Sequence, residues 1–305
     1  MSGEDRMEAR FGPAGNAIAF SRQYKSSLDA PAWIAGLGLD CYEYQCGKGV
    51  HVGQTTAEKL GERARQAGIA LSLHAPYFIS LSNPDPEMRR KTVGYITTSC
   101  LAARWMGATR VVIHTGALLK RTRRQALDIA KETLRQAIAA CDDQGFGDVT
   151  LCPETMGKIN QLGDLDEVLE LCQIDGRLLP CIDFGHLYAR SLGADDGAEV
   201  FARMLDKVAS ALGEERARRF HSHFSRIEFT PKGGEKCHRT FADHGGFGPD
   251  WQPLAAEIAR RGWTPTFICE SAGTQAQDAR TMKDIYRAQR ALYTGQGEEE
   301  TTCII

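Results

Sequence analysis

The sequence predicts an α/β chain folded as a single (β/α)8 TIM barrel, and three observations carry that expectation. About eight short apolar or β-branched runs alternate with longer helical stretches, the pattern of parallel βα units. A barrel of this kind takes ~250 residues as one unit, so the 305 residues suit one domain. No GxGxxG phosphate turn follows the first strand, which disfavours a doubly wound open sheet. The expected layout is a disordered N-terminus over 1–9, a barrel over 10–294 and a flexible acidic tail over 295–305.

In chain order, Arg10 to Gly15 reads as a first strand breaking into a glycine loop, and Pro31 to Leu37 as a short helix. Leu39 to Gln45 is a strand by alternation and aromatic content. Thr56 to Ala67 is a helix capped by Thr55 or Thr56 and stopped by Gly68. The strand Ile69 to His74 is followed by a helical stretch, Pro84 to Met106, and then by the strand Arg110 to His114. A long helix over Thr122 to Gln144, with Thr122 as cap, precedes the strand Val149 to Glu154, and Asp164 to Cys172 is a helix. Leu178 to Asp183 is a buried strand, Gly197 to Leu212 and Glu214 to Arg219 are helical, and Phe220 to Phe224 is a strand. Lys232 to Asp250, rich in glycine, is expected as a long loop of functional or mobile character. A helix over Pro253 to Arg261, the strand Thr266 to Glu270 and a closing helix over Asp278 to Leu292 complete the pattern.

Composition excludes several classes. Hydrophobic content of 42% and charged content of 25% are ordinary for a globular chain. A net charge of −2 does not mark a nucleic-acid binder, so any such binding must use a local basic patch or metal ions. The ten cysteines are scattered, no CxxC occurs, and Cys152, Cys181 and Cys269 lie inside apolar strands. That usage predicts a reduced, cytoplasmic protein rather than a disulfide scaffold. No apolar run approaches the ~20 residues of a membrane span.

The chemistry collects where the strands end. His74, His114, Glu154, Asp183 and Glu270 each close an apolar run, and His223 lies beside the last residue of its strand. In a barrel these ends share one face, the face on which barrel enzymes build their sites. Asp183 and His186, three residues apart where a strand breaks, offer an oxygen and an imidazole nitrogen to one ion. Grouped carboxylates repel one another, and basic residues are scarce on these ends, so bound metal is the expected compensation. Five of the eight histidines, namely His74, His114, His186, His223 and His238, fall at strand ends or in the loops after them. His51 reads as solvated. His221 alternates with His223, and His223 is preferred for the site. His244 is open between ligand and loop residue.

Taken together, His74-Ala-Pro-Tyr77, His114-x-Gly116, Pro153-Glu154-Thr155, Cys181-Ile-Asp183-x-x-His186, His223 and Cys269-Glu270 resemble the endonuclease IV family of apurinic/apyrimidinic endonucleases, within the xylose-isomerase-like barrels. The resemblance covers roughly residues 70–270. It implies Zn2+, three ions with two or one as alternatives, held by His74, His114, Glu154, Asp183, His186, His223, His238 and Glu270. The family's loop carboxylate, two residues before the last histidine, is replaced here by Lys236; Glu235, one place off, is the expected substitute, with Asp243 the other candidate. The implied activity is hydrolysis of double-stranded DNA on the 5′ side of an abasic site by a zinc-bound hydroxide, with Glu154 catalytic and bridging and Tyr77 near the DNA. Arg89-Arg90-Lys91 and Lys120 to Arg124 are the candidates for phosphate contacts. The loop Gly12-Pro13-Ala14-Gly15 departs from the His-Val-Ser form of DNA-binding members. A monomer without membrane association is expected. The competing reading is a sugar isomerase or epimerase holding one divalent ion with Glu154, Asp183, His223 and Glu270, a set that does not need the other histidines.

Overall fold

A computed structural model describes residues 8–301. In chain order the elements are β1 (Arg10–Pro13), α1 (Ile18–Gln23), α2 (Ala30–Gly36), β2 (Cys41–Gln45), α3 (Gln54–Ala67), β3 (Ala70–His74), α4 (Pro86–Met106), β4 (Arg110–His114), α5 (Arg123–Asp143), β5 (Thr150–Glu154) and α6 (Leu165–Cys172). They continue with β6 (Cys181–Asp183), α7 (Phe184–Arg190), α8 (Ala198–Leu212), α9 (Glu214–Ala217), β7 (His221–Phe224), β8 (Arg226–Thr230), β9 (Gly234–Arg239), α10 (Trp251–Arg261), β10 (Thr266–Cys269) and α11 (Gln275–Thr301). Eight strands form one sheet in the order β1-β10-β7-β6-β5-β4-β3-β2, every neighbouring pair parallel. The two ends meet: Asp40 N donates to Phe11 O and Gly15 N to Glu43 O, both at 2.9 Å, and Ala14 bridges Glu43. This is the expected barrel. A Cβ on Gly12 would lie 1.8 Å from Cys41 O, so only glycine lets β1 and β2 approach at this seam.

Local chemistry explains where most helices begin and end. Thr122 caps α5 in a capping box with Gln125, and Asp164 caps α6 in one with Glu167. Asp85 caps α4, which therefore starts at Pro86, two residues later than the turn signal suggested. The α3 cap is Gly53 rather than either threonine, and Gly68 ends that helix in the left-handed conformation at φ 71°. Strand β6 is shorter than expected, Cys181–Asp183 only, because Pro180 has no N–H to give a ladder.

Three expectations are corrected. The glycine-rich stretch expected as a loop contains β9, which pairs antiparallel with β8 to make a separate two-stranded hairpin. At the N-terminus, 1–7 lie outside the described residues, but Glu8 and Ala9 are ordered by α11: Glu8 pairs with Arg287, and Ala9 N donates to Tyr286 Oη. Helix α11 runs to Thr301 and so takes in most of the stretch expected as a loose tail; 302–305 lie outside the described residues.

The main core lies between the strands and their helices, with a dense aromatic centre under β1, β7 and β10. Phe11 stacks on Phe267 at 5.6 Å, and Trp251 meets Phe267 and Phe224 edge-on at 4.8 and 4.9 Å. Inside the barrel the only apolar cluster among the described residues is small: Val112, Cys152, Leu179 and Cys181. Barrel interiors are ordinarily filled with layers of aliphatic side chains. Here much of the interior is polar, and that difference prepares the site. The nine described cysteines are free thiols. Among the described residues, no helix is long and apolar enough to cross a membrane.

Candidate metal centre

Register brings the strand ends level. His114 pairs with Glu154, Asp183 with His223 and Gln45 with His74. Glu154 is buried at the centre with its two oxygens turned to different partners. Its Oε2 lies 3.3 Å from His74 Nε2 and 3.3 Å from His114 Nε2. Its Oε1 lies 3.0 Å from His223 Nδ1 and 3.6 Å from His186 Nδ1. Glu270 approaches His223 Nδ1 at 3.6 Å from the next strand end.

The histidines are oriented by hydrogen bonds at Nδ1. Nδ1 of His74 faces Ala75 O at 2.7 Å, Nδ1 of His114 faces Tyr77 O at 3.1 Å, and Nδ1 of His186 faces Thr155 O at 2.9 Å. Nδ1 of His238 faces Ser225 Oγ at 2.7 Å. A carbonyl only accepts, so in the first three Nδ1 donates and Nε2 is the nitrogen available to an ion on losing any proton, facing Glu154 in His74 and His114 and Glu235 in His186. Asp183 caps α7: its Oδ1 accepts from His186 N at 2.8 Å. Its other oxygen, Oδ2, is buried without a hydrogen bond and meets only His186 Nδ1, as an ion-pair contact at 3.3 Å. Leaving a buried charged acceptor unmatched costs more than the ~1–3 kcal/mol of a neutral one, and a cation resolves that cost.

The hairpin supplies the remaining groups. Pairing of β8 with β9 runs Glu228 to Cys237 and then Phe229 to Glu235, so Lys236 is an extra residue. In an unbroken strand Glu235 and His238, three apart, would point to opposite faces. The bulge returns them to one side: Glu235 Oε1 lies 3.9 Å from His238 Nε2, and its Oε2 lies 3.6 Å from His186 Nε2. Lys236 turns away and pairs with Glu228 at 2.5 Å. Glu235 N donates to Gly157 O at 3.1 Å, which docks the hairpin on the loop after β5. A Cβ on Gly157 would stand 2.7 Å from Glu235 Cβ and 2.8 Å from His186 Cδ2. Asp243 instead accepts from Thr240 N at 2.8 Å, and His244 is exposed; neither joins a cluster of metal-ligand type among the described residues. His51 is exposed, as expected.

The donor atoms fall into overlapping groups, including His74, His114 and Glu154; Glu154, Asp183, His186 and Glu270; and His186, His238 and Glu270. Nitrogen and carboxylate donors in this mixture suit a divalent metal ion, and the Asp183 oxygen that no hydrogen bond satisfies fits a cation. Electrostatics agree. Burial opposes ionisation of Glu154, but the charge on His223 and hydrogen bonds from His114, His223 and His74 hold its pKa well below the usual range. Burial likewise opposes a charge on His186, yet Asp183, Glu235, Glu154 and Glu270 raise its pKa to about 9.

Tyr77 stands at the rim, 54% exposed, with its ring stacked 5.7 Å from that of His114. Partial burial and the nearby Glu270 and Glu154 push its pKa up to about 12, so it remains a neutral donor, here to Gln45 Oε1 at 3.2 Å. The basic runs are largely engaged elsewhere. Arg89 braces Asn83 O and Pro84 O, Lys91 pairs with Glu87, Arg123 with Glu167, and Arg124 with Asp128 and Glu170. One buried group escaped the sequence reading. Glu43, on β2, lies beneath the site and touches both His221 and His223 at 2.9 Å.

The family described as xylose isomerase-like TIM barrel matches residues 31–292. The chain belongs to that family. Within the xylose isomerase-like barrels it is similar to an uncharacterized protein of Methanocaldococcus jannaschii, 34% identical over 228 residues, 75% of this chain and 80% of that one. It is also similar to a probable endonuclease 4 of Acholeplasma laidlawii, 34% identical over 133 residues, 41% of this chain and 44% of the relative. A probable endonuclease 4 of Mycoplasma pneumoniae is 28% identical over 159 residues, 50% and 52% of the two chains. The matches to these two named relatives thus span about half of each. Among solved structures of the family's fold, a D-tagatose 3-epimerase-like protein superposes with TM-score 0.70 at 17% identity, over 94% of this chain and 99% of that one. Endonuclease IV from Thermus thermophilus superposes with TM-score 0.61 at 18% identity, over 92% and 98%. At such identities the structural likeness establishes the barrel alone.

Proposed function

We propose that the chain is a metal-dependent phosphodiester hydrolase that incises double-stranded DNA on the 5′ side of abasic sites, with zinc as the metal. The observation that carries this reading is the two-sided Glu154: one oxygen faces His74 and His114, the other His223 and His186. A carboxylate so placed could serve both groups of donors. In this reading Asp183, Glu270 and His223 would complete the inner group, and His186, His238 and Glu235 would hold a further ion. Bound zinc supplies Lewis acidity, acidifying water and screening charge on a phosphoryl group. Glu154 orients the attacking water, and Tyr77, a neutral donor at the rim, contacts the substrate. The partial similarity to probable endonuclease 4 proteins supports the same assignment.

A second reading has its own support. Glu154, Asp183, His223 and Glu270 alone would suffice for a one-ion sugar isomerase or epimerase, and the barrel superposes on a D-tagatose 3-epimerase-like protein. That reading leaves His74, His114, His186, His238 and Glu235 turned inward without a task, so the multinuclear hydrolase is preferred. Metal content per chain, measured on protein purified without chelator, together with incision of a duplex carrying one abasic site, tests the choice. About three zincs with incision supports the hydrolase; about one metal, no incision and turnover of a ketose overturns it.

A further inference from the structure

Glu43 is fully buried inside the barrel. Its Oε2 accepts from Ser72 Oγ and His221 Nε2, each at 2.9 Å, and its Oε1 accepts from His223 Nε2 at 2.9 Å and Gln45 Nε2 at 3.1 Å. Two donors on each oxygen leave the carboxylate no free direction in which to reach an ion. Although its oxygens come within ligand range of His223 and Glu270, these four hydrogen bonds assign Glu43 to the support of the donor set.

The protons in this column can be assigned from one end. Arg110, at the start of β4, can only donate. Its Nη1 lies 3.5 Å from His221 Nδ1, while its Nη2 donates to Arg219 O at 3.0 Å. His221 Nδ1 is then an acceptor, and the His221 proton sits on Nε2, where it is given to Glu43. An ionised Glu43 only accepts, so His223 Nε2 must also donate to it. That leaves His223 Nδ1 as the atom presented to Glu154 at 3.0 Å and to Glu270 at 3.6 Å. Every link from Arg110 to the site is a hydrogen bond or a close polar approach between named atoms.

We propose that Glu43 is a positioning residue that sets the orientation and tautomer of His223, so that Nδ1 is the nitrogen offered to the metal, with the Arg110–His221 pair holding Glu43 in place. This rests on the reading of His223 as a metal ligand. Partners that orient ligating histidines are typically worth about 10–100-fold in metal affinity. A carboxylate buried within a barrel interior has a desolvation cost that aliphatic filling would avoid, and here four hydrogen bonds, two of them from His221 and His223, offset it.

The test uses the full chain, with zinc alone as probe. Zinc affinity is measured by competition with a chromophoric chelator for the wild type, Glu43→Gln and Glu43→Ala, and long-range 15N–1H spectra of the zinc-loaded proteins report the histidine tautomers. The wild type is expected to show His223 protonated at Nε2. Glu43→Gln, nearly isosteric, presents one amide oxygen where two histidines need acceptors; it should lose about tenfold in affinity, and Glu43→Ala up to about 100-fold, with unchanged far-ultraviolet circular dichroism. A merely space-filling Glu43 would leave Glu43→Gln unaffected. Wild-type affinity and tautomer in Glu43→Gln, or a wild-type His223 protonated at Nδ1, overturns the proposal while the metal reading stands. Absence of zinc uptake by the wild type overturns the metal reading, and the proposal with it. Should Glu43→Ala fail to fold, Glu43→Gln decides.

Discussion

At the scale of single residues, the distinction between Glu235 and Asp243 is the sharpest. Glu235 reaches His186 and His238, whereas Asp243 is committed to the Thr240 backbone. Glu235→Ala should therefore lower zinc content by about one ion per chain and slow incision by more than about tenfold. Asp243→Ala should leave both unchanged; metal analysis and single-turnover incision check this, and loss of an ion from Asp243→Ala would reverse the assignment. Most of the residues that the fold gathers into the candidate site were legible because they interrupt a pattern: a histidine or carboxylate that closes an apolar run, as His114 and Glu154 do, has no packing reason to be there. Glu43 was not legible because it interrupts nothing. In Cys41-Tyr-Glu-Tyr-Gln45 a charged residue between aromatics reads as the wet face of an alternating strand, and only barrel closure turns that face inward.

At the scale of elements, the barrel strands and most helices follow from period, caps and glycine stops, and the hairpin β8–β9 does not. Gly233 and Gly234 look like loop, and the strand character of Arg226–Thr230 and Gly234–Arg239 shows only once the two are paired. The bulge at Lys236 also explains how a carboxylate out of step with the expected spacing still arrives: one extra residue reverses the facing of everything before it. Parity, then, is the quantity to test. Deleting Lys236 removes the bulge but leaves Glu235 two residues from His238, on the same face of a regular strand. Zinc stoichiometry by metal analysis should be retained in that deletion. Loss of an ion would mean that the bulge geometry itself, rather than the facing of Glu235, holds the site.

At the scale of the whole molecule, folding gathers carboxylates and histidines whose ionisation states depend on one another. In metal-free protein His186 has its pKa raised to about 9, above the ordinary ~6.5. Its contribution to stability is thus fully present below about pH 6.5 and is lost as pH rises through about 9. On the proposed reading zinc would compete with a proton on this imidazole, so its binding would tighten as pH rises. The difference in Tm between zinc-loaded and zinc-free protein should widen from pH 6 to pH 9; a ligand at 100 times its Kd is worth about 2.7 kcal/mol. A gap that does not change with pH would show that these histidines do not bear the metal. The hairpin gives this arrangement a further meaning. The barrel's own strands and their immediate ends carry Glu154, Asp183, His223 and Glu270, while Glu235 and His238 arrive on a two-stranded appendage outside the eight-stranded sheet. Shortening that appendage would leave the inner quartet untouched. The appendage thus carries only part of what separates the two proposed chemistries: Glu235 and His238 come and go with it, while His74, His114 and His186 belong to the barrel itself.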